Sequence, residues 1–328
     1  MRYRSLGKSG IKISALGLGC MGMTHAYGAP SDEHEMIELI RSAADMGITF
    51  FDTAECYTAD DGQGRVLYNE TLVGKALKEC RGSVVIATKF GVHHNSDSTL
   101  STDSRPETIR KSVEGSLKRL GTDHIDLYYQ HRIDPKITPE ETAGVMRELI
   151  KEGKIRAWGV SEAGEEYIRR ADAVCHISAV QNRYSMMYRS YDSLILVLSE
   201  LGITFVAHSP LANGFLSGKY NNNPKFNGQN DYRSTMPQFR PESIAKNREL
   251  LGMLNALAER RNATPAQIAL SWMMAKGIVP IPGTRKAERL KENAGAADVE
   301  LSAVEAAGID VILSGMEMSE VFGGHKAS

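Results

Sequence analysis

The 328-residue chain predicts an α/β fold of the TIM barrel class, (β/α)8, on three observations. Short β-rich runs alternate with amphipathic stretches of helical length, the pattern of parallel βα units. Eight such runs meet eight such stretches. Their spacing fits the roughly 250 residues of that barrel, leaving a surplus at the ends and in two insertions.

The elements follow in order. Residues 1–14 read as an N-terminal hairpin. Strands are expected over 16–19, 49–52, 84–89, 125–131, 157–160, 179–181, 204–207 and 279–280. Helices are expected over 32–46, 69–80, 106–120, 139–151, 165–173, 191–201, 265–275 and 286–295. Boundary signals support several of these: Ser31 before the first helix, Gly47 after it, and Thr138-Pro139 and Thr264-Pro265 as N-cap and first-turn pairs. Residues 58–68 form an enlarged loop. Residues 209–241, rich in Asn, Gly and Pro, form a long loop after strand 7 of the kind that serves as a lid or binding loop. A C-terminal tail adds a helix over 302–313. No repeat, low-complexity tract or linker divides the chain, so one domain is expected over residues 1–328.

Composition excludes several function classes. With 42% hydrophobic and 24% charged residues the chain is not of the disordered type. A formal net charge of −1 offers no basic face for nucleic acid. Apolar runs such as 83–90 and 203–207 fall far short of the roughly 20 residues a membrane helix requires. The start, Met1-Arg2-Tyr3-Arg4-Ser5, lacks the apolar core and cleavage site of a secretory signal, so a cytoplasmic enzyme is expected. Cys20, Cys56, Cys80 and Cys175 are scattered thiols without metal-ligand spacing, and the adjacent His93-His94 point apart on a strand, so no metal is expected.

Gly17-Leu18-Gly19-Cys20-Met21-Gly22 satisfies the G-x-G-x-x-G pattern of a dinucleotide fold. That pattern must open a helix whose N-terminus holds the pyrophosphate. Here a helix starts only near Asp32, so the glycines are read instead as easing a tight strand exit.

Functional side chains of such a barrel sit at the C-terminal ends of its strands. Asp52, Lys89 and His131 end the second, third and fourth strands, and Tyr57 follows Asp52 by five residues. A lysine at the end of an apolar strand is costly to bury unless paired or used, and Asp52 is its natural partner. Carbonyl reduction needs a proton delivered to oxygen as hydride reaches carbon, and Tyr57 can supply it. One cation about 4 Å from a phenol, at an effective dielectric near 20, is worth on the order of 4 kcal/mol, or about three pK units. Lys89 is therefore expected to draw the phenol down, while a neutral His131 orients the substrate oxygen. Met21, Phe90 and Arg132 sit just beyond these positions and are expected to line the substrate mouth, the apolar ones among them serving equally well as core.

Asp52-x4-Tyr57, Thr88-Lys89-Phe90 and Gln130-His131 resemble the catalytic tetrad of the aldo-keto reductases. The resemblance runs from Leu16 to Asn293 and is nearest to bacterial and plant members with a Tyr-Tyr-Gln-His-Arg strand. It implies a (β/α)8 barrel, reduction of small carbonyl substrates and an NADPH cofactor (NADP+ when oxidised). Ser161 and Gln181 match the positions that hold the nicotinamide carboxamide. His208, Ser209, Pro210, Leu211, Asn213, Gly214 and Gly218 resemble the loop over the pyrophosphate. Gly283, Thr284, Arg285, Arg289, Glu292 and Asn293 resemble the adenosine-phosphate segment, with the two arginines as 2′-phosphate ligands. Three positions depart from the common pattern: Glu162 stands where many members have Asn, His208 where many have Tyr, and Gly283 where some have Lys.

Two other functions use the same residues. A Schiff-base lyase would use Lys89 as nucleophile, although Asp52 beside it works against that by raising its pKa. A cofactor sensor without turnover is the other, since related proteins of this fold serve as regulatory subunits of potassium channels.

Overall fold

The computed structural model describes residues 1–95, 99–220, 226 and 231–321. Its centre is an eight-stranded sheet: β1 (Leu18–Gly19), β2 (Phe50–Asp52), β3 (Val85–Phe90), β4 (Ile125–Gln130), β5 (Ile155–Ser161), β6 (Ala179–Arg183), β7 (Thr204–His208) and β8 (Val279–Pro280). Each strand pairs with the next in chain order and in parallel. The edges then meet. The Gly17 N–H donates to the Pro280 carbonyl at 2.9 Å and the Gly19 N–H to that of Pro282 at 3.3 Å. A parallel bridge between Gly19 and Gly283 completes the seam. The sheet is thus a closed barrel, as the alternating pattern required.

Helices α1 (Glu33–Asp45), α2 (Asn69–Leu77), α3 (Pro106–Leu120), α4 (Pro139–Lys151), α5 (Glu165–Val174) and α6 (Asp192–Leu201) follow β1 to β6 in turn. Between β7 and β8 lie α7 (Pro241–Lys246), α8 (Arg248–Arg261) and α9 (Pro265–Ala275), and α10 (Ala287–Gly295) and α11 (Ala303–Gly315) follow β8. Thr138 and Thr264 cap α4 and α9 through reciprocal capping boxes with Glu141 and Gln267, each satisfying two otherwise orphaned donors.

The structure corrects several boundaries. Asp32, not Ser31, caps α1 by accepting the Glu35 N–H at 3.0 Å. The expected helix over 69–80 ends at Leu77 and continues as a 3-10 turn, Lys78–Ser83, with Cys80 off helical geometry. The enlarged loop over 58–68 is a hairpin pairing Thr58–Asp60 with Val66–Tyr68, and a second hairpin pairs Val92–His94 with Leu100–Thr102. Helix α8 was not expected, although Leu250, Leu251, Leu254 and Ala258 recur on one buried face, the spacing an amphipathic helix needs. The expectation for 209–241 falls partly outside the described residues. Those that are described include three 3-10 segments, Ala212–Ser217, Tyr232–Thr235 and Pro237–Phe239, and the start of α7.

Two apolar layers hold the barrel. Outward-facing side chains such as Ile86, Tyr128, Trp158 and Phe205 pack beneath the helices. Inward-facing ones, Phe50, Val85, Ala87, Leu127, Tyr129, Ala157, Ala179, Val206, Val279 and Ile281, fill the bore, together with Leu6, Ile11 and Ile13 of the N-terminal hairpin. That hairpin pairs Tyr3–Ser5 with Lys12–Ser14 and so places apolar side chains against the bore. The filled bore leaves polar side chains to collect at its far, C-terminal end.

The glycines of the Gly17–Gly22 stretch have a different role from the strand exit expected of them. A Cβ on Gly17 would lie 2.7 Å from the Phe50 ring and 2.8 Å from its carbonyl, and one on Gly19 would lie 2.9 Å from the Ile281 carbonyl. Close packing, of Gly17 against β2 and of Gly19 across the seam, demands them, not a turn. Gly17→Ala is expected to lower stability by about 1–3 kcal/mol by overpacking, read as a lower urea midpoint with unchanged m.

Candidate active site

Strand alternation decides which side chains reach the mouth. On β3, Val85 and Ala87 point into the bore, so Lys89 continues that row. Ile86 and Phe90 point outward. Phe90 is fully buried with its ring 5.1 Å from that of Tyr128, so the structure removes it from the substrate mouth. On β2, Phe50 points in, and Asp52, two residues on, does the same at the mouth. His131 follows Leu127 and Tyr129 in the inward row of β4. Ser161 pairs with Gln181 across β5 and β6, and His208, opposite Arg183, ends β7 two residues beyond the inward Val206.

These placements bring the four expected catalytic residues together. Lys89 is completely buried. Its Nζ donates to Asp52 Oδ1, to the Thr53 carbonyl at 2.8 Å and to the Tyr57 hydroxyl at 3.4 Å. The second Asp52 oxygen accepts from Gln181 Nε2 at 2.7 Å. Tyr57 lies outside any strand and is positioned by its backbone: its N–H donates to the Ala54 carbonyl at 3.1 Å, and its own carbonyl accepts the Asn69 N–H at 2.9 Å. The His131 ring meets the Tyr57 ring edge-on, with centroids 5.7 Å apart, and His25 stacks on the tyrosine's face at 5.9 Å.

Electrostatics modify one expectation. Burial pushes the Tyr57 phenol up to about 12, outweighing the downward pull of Lys89 and Arg132. The expected net lowering is therefore not what the folded chain produces: a cation helps, but enclosing the phenol costs its anion more hydration than that cation returns. Burial also works against the Lys89 ammonium, yet Asp52 and Tyr57 more than compensate and its pKa rises. Burial first, then Arg132 and Lys89, hold the His131 imidazole well below its usual range, so it is neutral at physiological pH.

That shift has a measurable consequence. The unfolded chain protonates this histidine near pH 6.5, the folded chain only at much lower pH, so between the two the unfolded state binds the extra proton. The stability linked to His131 is complete above about pH 6.5 and falls below it by about 1.4 kcal/mol per pH unit. Urea midpoints at pH 7.5 and 5.5 should drop more for wild type than for His131→Gln. Equal drops would refute the shift.

The remaining expected ligands surround this centre. Ser161 Oγ accepts from Arg132 Nη1 at 3.2 Å, and the same Nη1 donates to the His131 carbonyl at 2.7 Å. Arg132 is half-buried at the mouth, as is Met21 at the start of the 3-10 turn after β1. Ser209, Pro210, Leu211, Asn213, Gly214 and Gly218 follow β7. Asn213 Nδ2 donates to the Tyr27 hydroxyl at 2.9 Å and to that of Tyr232 at 3.2 Å. A bridge between Tyr27 and Asp231 ties the same two loops. Gly283 packs against the Gly19 carbonyl, and Thr284 follows it. The two arginines are engaged within the protein. Arg285 donates to the carbonyls of Tyr27 at 2.7 Å and Ala29 at 3.0 Å, and Arg289 pairs with Glu292 at 3.2 Å. Asn293 is buried.

Two of the departures in the sequence turn out to be one feature. Glu162 Oε1 accepts from His208 Nε2 at 2.6 Å and from the Arg183 N–H at 2.8 Å, and Oε2 accepts from the Tyr191 hydroxyl at 3.1 Å. Burial alone would raise the Glu162 carboxyl, but His208, Arg132 and these donors outweigh it and hold the group well below the usual carboxylate range. Sequence spacing cannot show a pair 46 residues apart. A further contact escaped it too: Cys56 Sγ lies 3.4 Å from His131 Nδ1.

Among the described residues, six non-glycine residues have left-handed backbone. Five of them, Ala26, Glu162, Ser209, Ala212 and Asn213, lie in the loops after β1, β5 and β7 at this one mouth. Left-handed backbone gathered at one end of a barrel makes that mouth the candidate ligand site. With the hydroxyl of Ser161 and the amide of Gln181 beside the tetrad, the donor set fits a nicotinamide group. No group of three or more His, Cys, Asp or Glu that could hold a metal occurs among the described residues, and no described helix is long and apolar enough to cross a membrane.

A filled barrel with a buried Asp–Lys–Tyr chain beside a neutral histidine at its C-terminal mouth defines an enzyme site for carbonyl chemistry. Comparison with known proteins gives the family. The model of the aldo/keto reductase family matches residues 15–314. "Probable aldo-keto reductase 1" of Glycine max is 43% identical over 303 residues, covering 90% of this chain and 84% of that protein. Among solved structures, the glycerol dehydrogenase AKR11B4 from Gluconobacter oxydans superposes with a TM-score of 0.84 at 28% identity, covering 99% of this chain and 98% of its own. A thermostable aldo-keto reductase in complex with the inhibitor epalrestat gives 0.72 at 32% identity, over 95% of this chain and all of that one. The chain belongs to the aldo/keto reductase family. It is thereby an oxidoreductase of carbonyl compounds, in a family that uses nicotinamide cofactors.

Proposed function

We propose that this chain reduces aldehydes or ketones to alcohols with NADPH, with Tyr57 as general acid. The observation that carries the reading is the buried Tyr57 hydroxyl 3.4 Å from Lys89 Nζ, which Asp52 in turn holds. A bound nicotinamide cofactor supplies the hydride. Tyr57 supplies the proton: with its pKa pushed up to about 12 it keeps that proton throughout the neutral and mildly alkaline range. An alkoxide is more basic than a phenolate, so transfer remains downhill. Lys89 then faces the phenolate and stabilises it, Asp52 keeps the lysine charged, and neutral His131 orients the substrate oxygen. A raised lysine pKa argues against the Schiff-base alternative, which needs a free amine.

The choice of NADPH rests on Arg285 and Arg289. Arg285 spends its donors on neutral carbonyls, so its positive charge stays available to a 2′-phosphate, whereas Arg289 has to share Glu292. Replacing both by Ala should raise the NADPH dissociation constant by about tenfold or more, since each charge-assisted contact is worth about 1.5–3 kcal/mol, and leave NADH binding nearly unchanged. Fluorescence titration reads this. An equal loss for both cofactors would overturn the assignment. The function itself is tested by NADPH consumption across aromatic aldehydes, aliphatic aldehydes, quinones and sugar-derived carbonyls. Absence of cofactor binding at micromolar concentrations would refute it, and binding with no turnover on any carbonyl would favour a sensor.

A further inference from the structure

His131 has to present a donor, not a lone pair, to a carbonyl oxygen, and nothing in the tetrad itself decides which ring nitrogen carries the proton. A neutral imidazole has one N–H and one bare nitrogen, and the hydrogen bond made at one nitrogen settles the other. The structure offers one partner for Nδ1 among the described residues, the Cys56 thiol at 3.4 Å, a normal length for a bond involving sulfur. No protein group bonds Nε2 among the described residues.

We propose that Cys56 is a positioning residue that sets the His131 tautomer: its S–H donates to Nδ1, so that Nε2 carries the proton and donates it to the substrate oxygen. The inference rests on the reductase reading of the site. The reverse arrangement, Nδ1–H donating to sulfur, would aim the Nε2 lone pair at the carbonyl oxygen, and two acceptors would face each other. A thiol serves here because it remains a thiol: burial pushes the Cys56 group up to about 12, so its proton is present at any physiological pH. Lys89, held by Asp52 and the Thr53 carbonyl, bonds the Tyr57 hydroxyl, while Cys56, one residue before that tyrosine, bonds the histidine. The loop after β2 thus carries both Tyr57 and the thiol that meets His131.

The thiol is a weak donor, and a hydroxyl at the same place would donate at least as well. Cys56→Ala removes the donor and Cys56→Ser keeps one. Histidine-selective 15N labelling of the full chain, with the His131 signals assigned by their loss in His131→Gln, distinguishes the two tautomers through their long-range 15N–1H correlations. Wild type and Cys56→Ser are expected to show the Nε2–H form, and Cys56→Ala a mixture of both or the Nδ1–H form. Once a reduced carbonyl is known, kcat should fall in Cys56→Ala by roughly ten- to a hundredfold, with most of it recovered in Cys56→Ser and the NADPH dissociation constant unchanged. A single Nε2–H form in Cys56→Ala, or a kcat loss that serine does not recover, would overturn the proposal. If wild type reduces no carbonyl, the reductase reading fails, while the tautomer measurement still decides what Cys56 does.

Discussion

Tyr57→Phe is expected to lower kcat for carbonyl reduction by about 10²–10⁴-fold, the range lost with a positioned general acid. Cofactor affinity should stay within about twofold. The substitution removes one oxygen and leaves the ring, which packs between His25 and His131, so the pocket keeps its shape. Lys89 keeps its bonds to Asp52 and the Thr53 carbonyl, and the buried charge stays compensated. The loss therefore falls on the chemical step, and single-turnover measurements with preloaded cofactor should show it undiminished at saturating substrate. A variant reducing carbonyls at the wild-type rate would remove Tyr57 from the mechanism. Because the phenol's pKa is pushed up to about 12, the wild-type reduction rate should show no loss of the acid between about pH 7 and 9. A fall centred near pH 8 would mean that Lys89 dominates the phenol after all.

Lys89→Met is expected to abolish activity and also to cost about 3–5 kcal/mol of stability, the penalty for stripping one partner from a buried ion pair. Methionine approximates the volume of the lysine stem, so packing is largely kept. What is lost is the compensation of Asp52, almost fully buried in a bore otherwise filled by apolar side chains. Its remaining partner, Gln181, donates a single neutral hydrogen bond. Adding Asp52→Asn to Lys89→Met removes the orphaned charge and should recover a substantial part of the stability, while activity stays absent. Chemical denaturation of the three proteins separates the two effects. If the single variant were as stable as wild type, the pair would be less buried, or less coupled, than its geometry states. The same pair accounts for how the site exists at all: a cation beneath the phenol requires an anion beneath the cation, and the barrel mouth is where both can be partly hydrogen-bonded to backbone and amide groups.

How legible the protein was depends on the range of the interaction. Period-2 and period-3.6 patterning, N-caps and first-turn prolines are local, and they located the eight strands and most of the helices; α8 was overlooked though its apolar spacing was in plain view. The tetrad was legible because a barrel sends the ends of successive strands to one mouth, so Asp52, Lys89 and His131 converge by topology alone, and the family resemblance added the same residues. Between the mouth and core readings of Phe90, strand parity decides for the core: alternation from Lys89 turns it outward onto Tyr128.

By itself, then, the amino-acid order determined the barrel, its chain-order strands, and the convergence of the charged pair and the histidine at its mouth, since each follows from local periodicity and from one rule about where barrel strands end. Only the tertiary structure decided the rest. It showed that Gly17 and Gly19 serve close approach to the neighbouring strands, that Glu162 and His208 answer one another, that Arg285 is held by the loop containing Tyr27, and that Cys56 touches His131. It also reversed the sign of the Tyr57 shift. The physical reason is common to all of these. Desolvation and pairing depend on which atoms surround a group after the chain has closed on itself, and residues that meet at one mouth from strands far apart in sequence leave no periodic trace of that meeting.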